Sequence, residues 1–182
     1  MAEQETHQAG LGARVKLERI NRGWSLRRLA AEAGVSKAMI SRVERGESSP
    51  TATVLGRLSG ALEVSMSALL TPSVRGATWT DPESGYRRRA VATTADFPVD
   101  VTEVVMPPGA RQAFPASAYA FNQHLIWVAD GTLSVTEGGT THVLGAGDSL
   151  QIGEPADCIF ANETDVACRY IVILAPGSRR RP

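Results

Sequence analysis

The sequence contains few cysteines and few aromatic residues, and it has no long apolar run. Only two of its 182 residues are cysteines, Cys158 and Cys168, and they form no CxxC pair. This argues against a disulfide framework or a zinc ribbon and fits a reducing compartment. No run approaches the ~20 apolar residues that span a bilayer, and the polar first ten residues lack a signal-peptide pattern. We therefore expect a cytoplasmic protein with no membrane partner.

The net charge of zero hides an uneven distribution along the chain. Residues 11–60 contain ten Lys or Arg and four Glu, a net charge of +6, whereas residues 90–178 contain two Arg and ten acidic residues, a net charge of −8. Such a division predicts two domains with different partners. A basic domain attracts phosphate and speeds encounter with nucleic acid, although charge alone is weak evidence for this function.

The first third of the chain predicts five short helices. Ser25, Ser36, Thr51 and Ser65 stand where N-cap residues are expected, each just before a segment of helical character. Gly34 closes the second helix, and only Val35 separates it from the next cap. Two short helices with so tight a connection have the geometry of a helix-turn-helix.

The rest of the chain predicts β-strands. Five runs, residues 99–106, 123–135, 141–152, 158–164 and 166–174, alternate or are rich in β-branched residues, and turn residues separate them. The segment EGGTT predicts a hairpin. Short strands at this spacing indicate an all-β barrel or sandwich. The predicted boundaries are a flexible N-terminus over 1–10, a helical domain over 11–70, a linker over 71–84, a β domain over 85–176 and a tail over 177–182.

The basic run Arg87–Arg89 follows the predicted linker. It is either a nucleic-acid patch or a solvated strand or hinge, and we favour the second interpretation. The whole segment from Thr71 to Arg89 is then the natural hinge between the two domains.

The segment WSLRRLAAEAGVSKAMISRVERGESSPT, residues 24–51, resembles the Cro/C1-type (XRE-type) helix-turn-helix family. The matching marks are the cap Ser25, Leu29-Ala30, Gly34–Ser36, Ile40-Ser41 and Glu44–Gly46, and the resemblance covers about residues 11–70. It implies a DNA-binding domain whose second motif helix enters the major groove. The residues expected to contact DNA are Ser25, Arg27, Ser36, Lys37, Ala38, Ser41, Arg42 and Arg45.

Side-chain chemistry suggests how these residues divide the work. Arg42 can bond guanine through O6 and N7, and the Ala38 methyl group can contact a thymine methyl group. The N-termini of both motif helices, with Arg27 and Arg45 beside them, suit phosphate groups. The alternative for Lys37 and Arg42 is an ordinary solvated helix face.

Two further expectations concern the first helix. Its apolar part is expected at Val15, Leu17 and Ile20. Arg19 and Glu44 match a pair that bridges the first and third helices in the resembled family, so we assign both residues to structure.

The segments GARQAFPASAYAFNQHLIWVADGTLSV and HVLGAGDSLQIGEPADCIFAN resemble the two motifs of the cupin barrel. The marks are Gly109, Gly131, Gly147–Ser149 and Asn162, and the resemblance covers about residues 85–174. The implied fold is a two-domain α plus all-β protein: an N-terminal five-helix helix-turn-helix domain and a C-terminal cupin (double-stranded β-helix) barrel. Helix-turn-helix followed by cupin is a pattern of bacterial regulators, and cupins commonly dimerise.

Metal-binding cupins use two His and a Glu from the first motif and a His from the second. Matched to this sequence, those positions are Ser117, Tyr119, His124 and Cys158, so none of the four is the usual residue. A redox iron oxygenase needs two His and a carboxylate. This departure argues against catalysis, and we expect a protein that is not an enzyme and requires no cofactor.

Three interpretations of His124 remain open. It is a metal ligand together with Cys158, since imidazole and thiolate suit zinc; or it forms a hydrogen bond to an effector inside the barrel; or it is a structural histidine. We favour the second, with an effector pocket of apolar walls and a few polar groups. The residues expected to bind the effector are Tyr119, His124, Ile126, Cys158 and Phe160.

The leading hypothesis is a transcriptional regulator. The cupin barrel would bind a small molecule and modulate binding of the helix-turn-helix domains of a homodimer to a pseudo-palindromic operator in double-stranded DNA. The alternative is a metal-dependent cupin enzyme of the oxygenase or epoxidase type with a fused helix-turn-helix domain. A third, weaker option is a DNA-binding antitoxin.

Overall fold

The computed structural model describes residues 2–70, 78–92 and 99–176 and contains a helical domain followed by a β domain. The helices are α1 (Ala2–Asn21), α2 (Leu26–Ala33), α3 (Lys37–Glu44), α4 (Ala52–Ala61) and α5 (Met66–Leu70). The strands are β1 (Thr78–Thr80), β2 (Arg87–Ala92), β3 (Asp100–Met106), β4 (Arg111–Phe114), β5 (Asn122–Asp130), β6 (Leu133–Glu137), β7 (Thr140–Leu144), β8 (Ser149–Gln151), β9 (Cys158–Ala161) and β10 (Cys168–Pro176). A 3-10 helix, Ala116–Tyr119, precedes β5. None of the helices in the described part of the chain has the length and apolar character needed to cross a membrane.

The caps predicted for the motif helices are confirmed. The Ser25 hydroxyl accepts the backbone N–H of Arg28 at 3.1 Å, and the Ser36 hydroxyl accepts that of Met39 at 3.2 Å. Gly34 ends α2 with φ of 59°, the left-handed conformation that glycine adopts without steric cost. Short-range side-chain chemistry therefore determines where the helix-turn-helix begins, turns and ends.

Helix α1 differs from its prediction in extent and in its buried face. It begins at Ala2, so residues 2–10 continue a helix where we expected a flexible N-terminus. Leu11 and Val15 are buried, whereas Leu17 is 47% and Ile20 is 53% exposed. Residues four apart share a helix face, and only the face of Leu11 and Val15 meets the core. The expected apolar roles of Leu17 and Ile20 were therefore wrong.

An ion pair joins α1 to α3, as the family resemblance implied. Arg19 Nε donates to Glu44 Oε1 at 2.6 Å, Nη2 donates to Oε2 at 2.7 Å, and Nη1 donates to the Trp24 carbonyl at 2.8 Å. The two side chains are 11% and 6% exposed. Burial and two parallel hydrogen bonds make this a strong fixed pair rather than a loose surface contact. It holds the end of α3 against the rest of the helical domain.

The β domain is a two-sheet barrel. One sheet has the strand order β1-β2-β3-β10-β5-β8 and the other has the order β4-β9-β6-β7, with antiparallel pairing throughout. Apart from the β6-β7 hairpin, which lies within one sheet, successive strands from β3 to β10 cross between the two sheets as in a jelly roll, which is the arrangement of the cupin barrel. The predicted EGGTT hairpin is the turn between β6 and β7, where Glu137 pairs with Thr140. The predicted cupin fold is confirmed.

The predicted linker is shorter than expected at its C-terminal side. Strand β1 already pairs with β2, and the following turn is held by the buried Asp81, whose carboxylate accepts the N–H groups of Glu83 and Ser84 at 2.9 and 2.8 Å. The same carboxylate accepts the N–H of Ala52 at the start of α4. Residues 78–89 therefore belong to the barrel and cannot act as a free hinge. Residues 71–77 of the predicted linker and the predicted tail lie outside the described residues.

Helix α4 packs directly against the barrel. A Cβ atom added to Gly56 would lie 2.7 Å from a ring carbon of Phe114, and one added to Gly60 would lie 2.7 Å from Ser117 Cβ and 2.9 Å from the Ser117 carbonyl carbon. The two glycines are four residues apart and therefore share the helix face that meets the barrel. On α5, the Ser67 hydroxyl lies 3.0 Å from that of Thr102 in β3. Two domains that the sequence separated by a linker thus share an interface.

We expect Arg19→Met to destabilise the helical domain. Removing one partner leaves the Glu44 carboxylate buried without its counter-charge, which costs roughly 3 kcal/mol. Chemical denaturation followed by helical circular dichroism measures the loss.

The matched control is Arg14→Met, because Arg14 forms a surface pair with Glu18 on the same helix and is 44% exposed. Such a pair contributes less than about 1 kcal/mol. Equal losses in the two variants would contradict the structural role of Arg19.

Candidate nucleic-acid interface and barrel cavity

The outer face of α3 is the candidate DNA-reading surface. Lys37, Ala38 and Arg42 are exposed, and Ser41 is half-buried beside them, while Ile40 and Val43 on the opposite face are buried. Ser25, Arg27 and Ser36 are exposed around the two helix N-termini. The helix thus separates a core face from a polar, basic face. The eight predicted DNA contacts lie on the exposed side of the motif.

Arg45, the last predicted DNA contact, is engaged within the protein. Its Nε and Nη2 donate to the two Glu47 carboxylate oxygens at 2.5 and 2.7 Å, and Nη1 donates to the Ser41 hydroxyl. The hydrogen bonds from Arg45 lower the pKa of Glu47, so this exposed carboxylate stays ionised. A phosphate group would have to displace Glu47 from Arg45. The sequence spacing did not reveal this competition.

The barrel contains a cavity of about 40 Å³ that the helical domain helps to close. Four of the five predicted effector residues line it: Tyr119, His124, Ile126 and Phe160. Alternation along β5 correctly predicted that His124 and Ile126 share one strand face. Ser59 of α4 and Met66 of α5 also line the cavity, together with Ser65 between them. A molecule inside the barrel would therefore contact the DNA-binding domain directly.

His124 points into this cavity as a neutral side chain. Burial lowers its pKa to about 4; the Asn122 carbonyl, 3.1 Å from Nδ1, opposes this effect, and the positive charge of Arg88 adds to it. The imidazole ring packs against the Tyr119 ring with 4.8 Å between centroids. At neutral pH the imidazole can therefore offer a hydrogen bond but no charge.

The remaining predicted ligand positions lie outside the cavity lining. Cys158 is fully buried, and its thiol donates to the Ala156 carbonyl at 3.5 Å. Burial raises the pKa of this thiol to about 11. Ser117 contacts α4 at Gly60 instead of the cavity. The match to the cupin motifs thus predicted the part of the chain that surrounds the cavity, but it did not predict which side chains line the cavity.

The described metal-ligating side chains do not form a metal centre. Among the residues that the structure describes, no group of three or more His, Cys, Asp and Glu side chains could hold a metal ion. Zinc and iron centres in enzymes use three protein ligands, so these residues do not fit a catalytic metal. The pair His124 and Cys158 stays a prediction.

The most polar group in the cavity lining is one that sequence analysis did not single out. Arg88, the middle residue of the basic run in β2, is only 7% exposed and lines the cavity, whereas Arg87 and Arg89 on either side are exposed. The run is therefore not wholly solvated, because its middle arginine faces the barrel interior. Alternation between Tyr86, Arg87 and Arg88 could have indicated that one arginine faces inward.

A larger open cleft of about 520 Å³ lies on the other side of the same wall. Tyr119 and His124 line both spaces, and Asn122, Gln151 and Glu154 belong to the outer cleft alone. The Tyr119 and His124 rings, which are tilted by 57° to each other, thus border both the inner cavity and the outer cleft.

The fold and the exposed face of α3 are those of a helix-turn-helix protein, and comparison with known proteins shows the family to which the chain belongs. A helix-turn-helix family model matches residues 15–69. The HTH-type transcriptional regulator SutR of Escherichia coli is 32% identical over 160 residues, which cover 84% of this chain and 86% of the relative. The chain therefore belongs to the family of HTH-type transcriptional regulators.

Two further relatives show how far the similarity extends. The HTH-type transcriptional regulator SinR of Bacillus subtilis is 39% identical over 61 residues, covering 33% of this chain and 55% of the relative. The crystal structure of an HTH_3 family transcriptional regulator from Vibrio cholerae has a TM-score of 0.83 and 25% identity, and it covers 96% of this chain and 99% of that one. The two-domain arrangement as a whole is thus similar to that of a solved regulator.

We expect His124 to make stability depend on pH in mildly acidic solution. The histidine of the unfolded chain has a pKa near ~6.5, above the folded value of about 4. Between these values the unfolded chain binds a proton that the folded protein does not, so stability falls as pH decreases from 6.5 to 4. Denaturation of His124→Gln at several pH values, with a chelator present, should show a weaker decrease than the wild type.

The control is His142→Gln, because His142 is partly exposed on the outside of the barrel near Glu137. If His124→Gln and wild type lose stability in parallel over this pH range, the neutral, buried state of His124 is wrong.

Proposed function

We propose that the protein regulates transcription in the cytoplasm as a homodimer whose barrel binds a small-molecule effector and thereby changes operator affinity. The observation that carries the proposal is the cavity enclosed jointly by barrel residues and by α4 and α5 of the helix-turn-helix domain. An effector in that cavity contacts both domains at once. It therefore binds with different affinity to arrangements that differ in the position of α4.

The reading role is supported by the exposed face of α3. Arg42 and Ala38 lie on its exposed side, in the positions from which this class of motif reaches base edges. Lys37 and the N-terminal N–H groups of α2 and α3 suit phosphates on either side of the groove. Arg45 joins these contacts once phosphate displaces Glu47.

The homodimer is supported by the outer face of the larger sheet. Leu125 and Trp127 are 37% and 44% exposed on β5, and the neighbouring β10 residues Ile173 and Ile171, which pair with them, are half-buried. An apolar sheet face of this kind suits contact with a second copy. Two copies would present two reading helices to a pseudo-palindromic operator.

Helix α4 offers a short physical connection from the cavity to the reading motif. Ser59 lines the cavity, and Arg57 Nη1 of the same helix donates to the carbonyl of Gly34, in the turn between α2 and α3, at 3.3 Å. A helix moves as a packed unit, so displacement of α4 by an effector changes the support of that turn. This path replaces the predicted hinge as the proposed route of the signal.

The enzyme alternative requires a metal centre that the described donors do not form. Stoichiometric iron found by elemental analysis of the purified protein would revive it. The regulator is favoured because the polar groups that line the cavity can bind a ligand, and none of them needs to catalyse a reaction for this role.

We expect Arg42→Ala to relax operator specificity. Loss of a bidentate contact with guanine costs about 1–3 kcal/mol of discrimination at that base pair, so the ratio of affinities for the preferred and altered base should fall roughly 5- to 150-fold. Operator selection from a random library followed by fluorescence anisotropy measures this ratio.

Arg111→Ala is the control, since Arg111 is an exposed arginine on β4 of the barrel and should leave the ratio unchanged. Unaltered sequence preference in Arg42→Ala would show that Arg42 does not contact a base.

Sedimentation of the same protein–operator complexes gives their stoichiometry, and one protein copy per operator would contradict the homodimer.

We expect Gly60→Val to uncouple the two domains. The added side chain meets Ser117 in the barrel, and such overpacking costs typically 1–3 kcal/mol. We expect calorimetry to show one unfolding transition for the wild type and two for Gly60→Val, one for each domain.

Gly10→Val is the matched control, because Gly10 also lies in a helix but a Cβ there would meet nothing within 4 Å. If Gly60→Val unfolds in one transition at the wild-type temperature, the interface between α4 and the barrel does not couple the domains.

A further inference from the structure

The guanidinium group of Arg88 is buried in the barrel without an acidic partner. Its Nη1 donates to the Tyr86 hydroxyl at 2.8 Å, and its Nε has no hydrogen-bond partner. The described residues include no ion pair to Arg88, although the side chain is only 7% exposed. A permanently charged group is thus buried away from water, and the described residues give it one hydrogen bond, to a neutral hydroxyl group.

Such an arrangement is costly in isolation. Buried charges in proteins are normally paired, because the loss of hydration costs several kcal/mol per ion. Arg19, another arginine with a mostly buried side chain, is paired in the usual way, since the Glu44 carboxylate accepts two of its hydrogen bonds. Arg88 has no such partner, because no carboxylate in the part of the chain that the structure describes pairs with it.

The cavity provides the space for that partner. Arg88 lines it together with Tyr86, Tyr119, His124 and Tyr170. Burial raises the pKa of both Tyr119 and Tyr170 and lowers that of His124 to about 4, so these three groups are neutral at physiological pH. Among the described residues, none that lines the cavity therefore balances the charge of Arg88.

The rest of the lining is apolar and restricts the size of a ligand. Ile126, Phe160, Val172 and Leu174 form the apolar walls. The volume of about 40 Å³ holds roughly three water-sized groups, because one water needs about 10–15 Å³ on this measure. A wholly polar ion would leave its far side against hydrocarbon, whereas a short apolar tail would be buried there.

We propose that the effector is a small aliphatic carboxylate, held by Arg88 through its carboxylate and by the apolar walls through a short alkyl tail. The planar fork of an arginine matches a carboxylate in geometry as well as in charge. The Tyr86 hydroxyl, which accepts from Arg88, remains able to donate to a ligand oxygen. This assignment rests on the proposed function and adds the chemical class of the effector.

The experiment is titration calorimetry of the full chain, without DNA, at pH 7.5 and constant ionic strength with chloride as the reference anion. Formate, acetate, propionate and butyrate are the probes, and sulfate is the polar comparison. Affinity should increase about fourfold for each added carbon until the cavity is full and then decline. Sulfate should bind at least tenfold more weakly than the best carboxylate.

Arg88→Met should abolish this binding while keeping the fold, because an apolar side chain of similar length replaces an unpaired buried charge. Arg87→Met, on the neighbouring exposed position of the same strand, is the matched control and should bind as the wild type does. A crystal structure of the wild type with propionate, which does not depend on either variant folding, should place the carboxylate at Arg88.

Absence of carboxylate binding, equal binding by Arg88→Met, or density for propionate away from Arg88 would each overturn the assignment. Sulfate binding as tightly as propionate would show an inorganic oxyanion site and overturn the carboxylate. If propionate binds at Arg88 but operator affinity does not respond to it, the ligand class of the cavity stands and the proposed coupling to DNA fails.

Discussion

The close packing of α4 against the barrel is the constraint on which the rest of this structure depends. Gly56 and Gly60 allow the helix to approach Phe114 and Ser117 more closely than any residue with a side chain could. Because of that approach, the DNA-binding domain helps to close the barrel. The carboxylate of Asp81 adds a second tie, since it accepts the first N–H of the same helix.

This arrangement concentrates the functional chemistry at one boundary. The cavity has apolar barrel walls, a single fixed positive charge at Arg88, and a cap made by residues that also support the helix-turn-helix. A ligand that neutralises Arg88 would strengthen the contacts around it and so bias the position of α4. Regulation then needs no long path, because α4 contacts both the cavity and the turn at Gly34.

The arginine side chains of the two domains have different surroundings. In the described part of the helical domain, arginines are exposed or paired with glutamates, as with Arg19 and Glu44 inside and Arg45 and Glu47 at the surface. The surface pair is weak and can exchange its carboxylate for phosphate. The barrel instead holds one arginine in its interior without a pair. That difference separates a surface suited to a polyanion from a site suited to one small anion.

Much of the fold could be predicted because its signals are local. The caps Ser25 and Ser36, the turn at Gly34 and the EGGTT hairpin each depend on side-chain and backbone preferences over a few residues. The exposed face of α3 and the shared strand face of His124 and Ile126 also follow from helical and strand periodicity. The family resemblance added the cupin barrel and the bridge between Arg19 and Glu44.

What only the tertiary structure decided are the contacts between segments far apart in sequence. Periodicity cannot tell which apolar face of α1 meets the core, so Leu17 and Ile20 were assigned wrongly. It cannot show that α4 closes the barrel, that Cys158 is buried outside the cavity lining, or that Arg88 turns inward while its neighbours face solvent. The sequence by itself determined the elements and the exposed face of α3, because these depend on short-range chemistry. The complete cavity forms only when the two domains pack together, because residues from both line it.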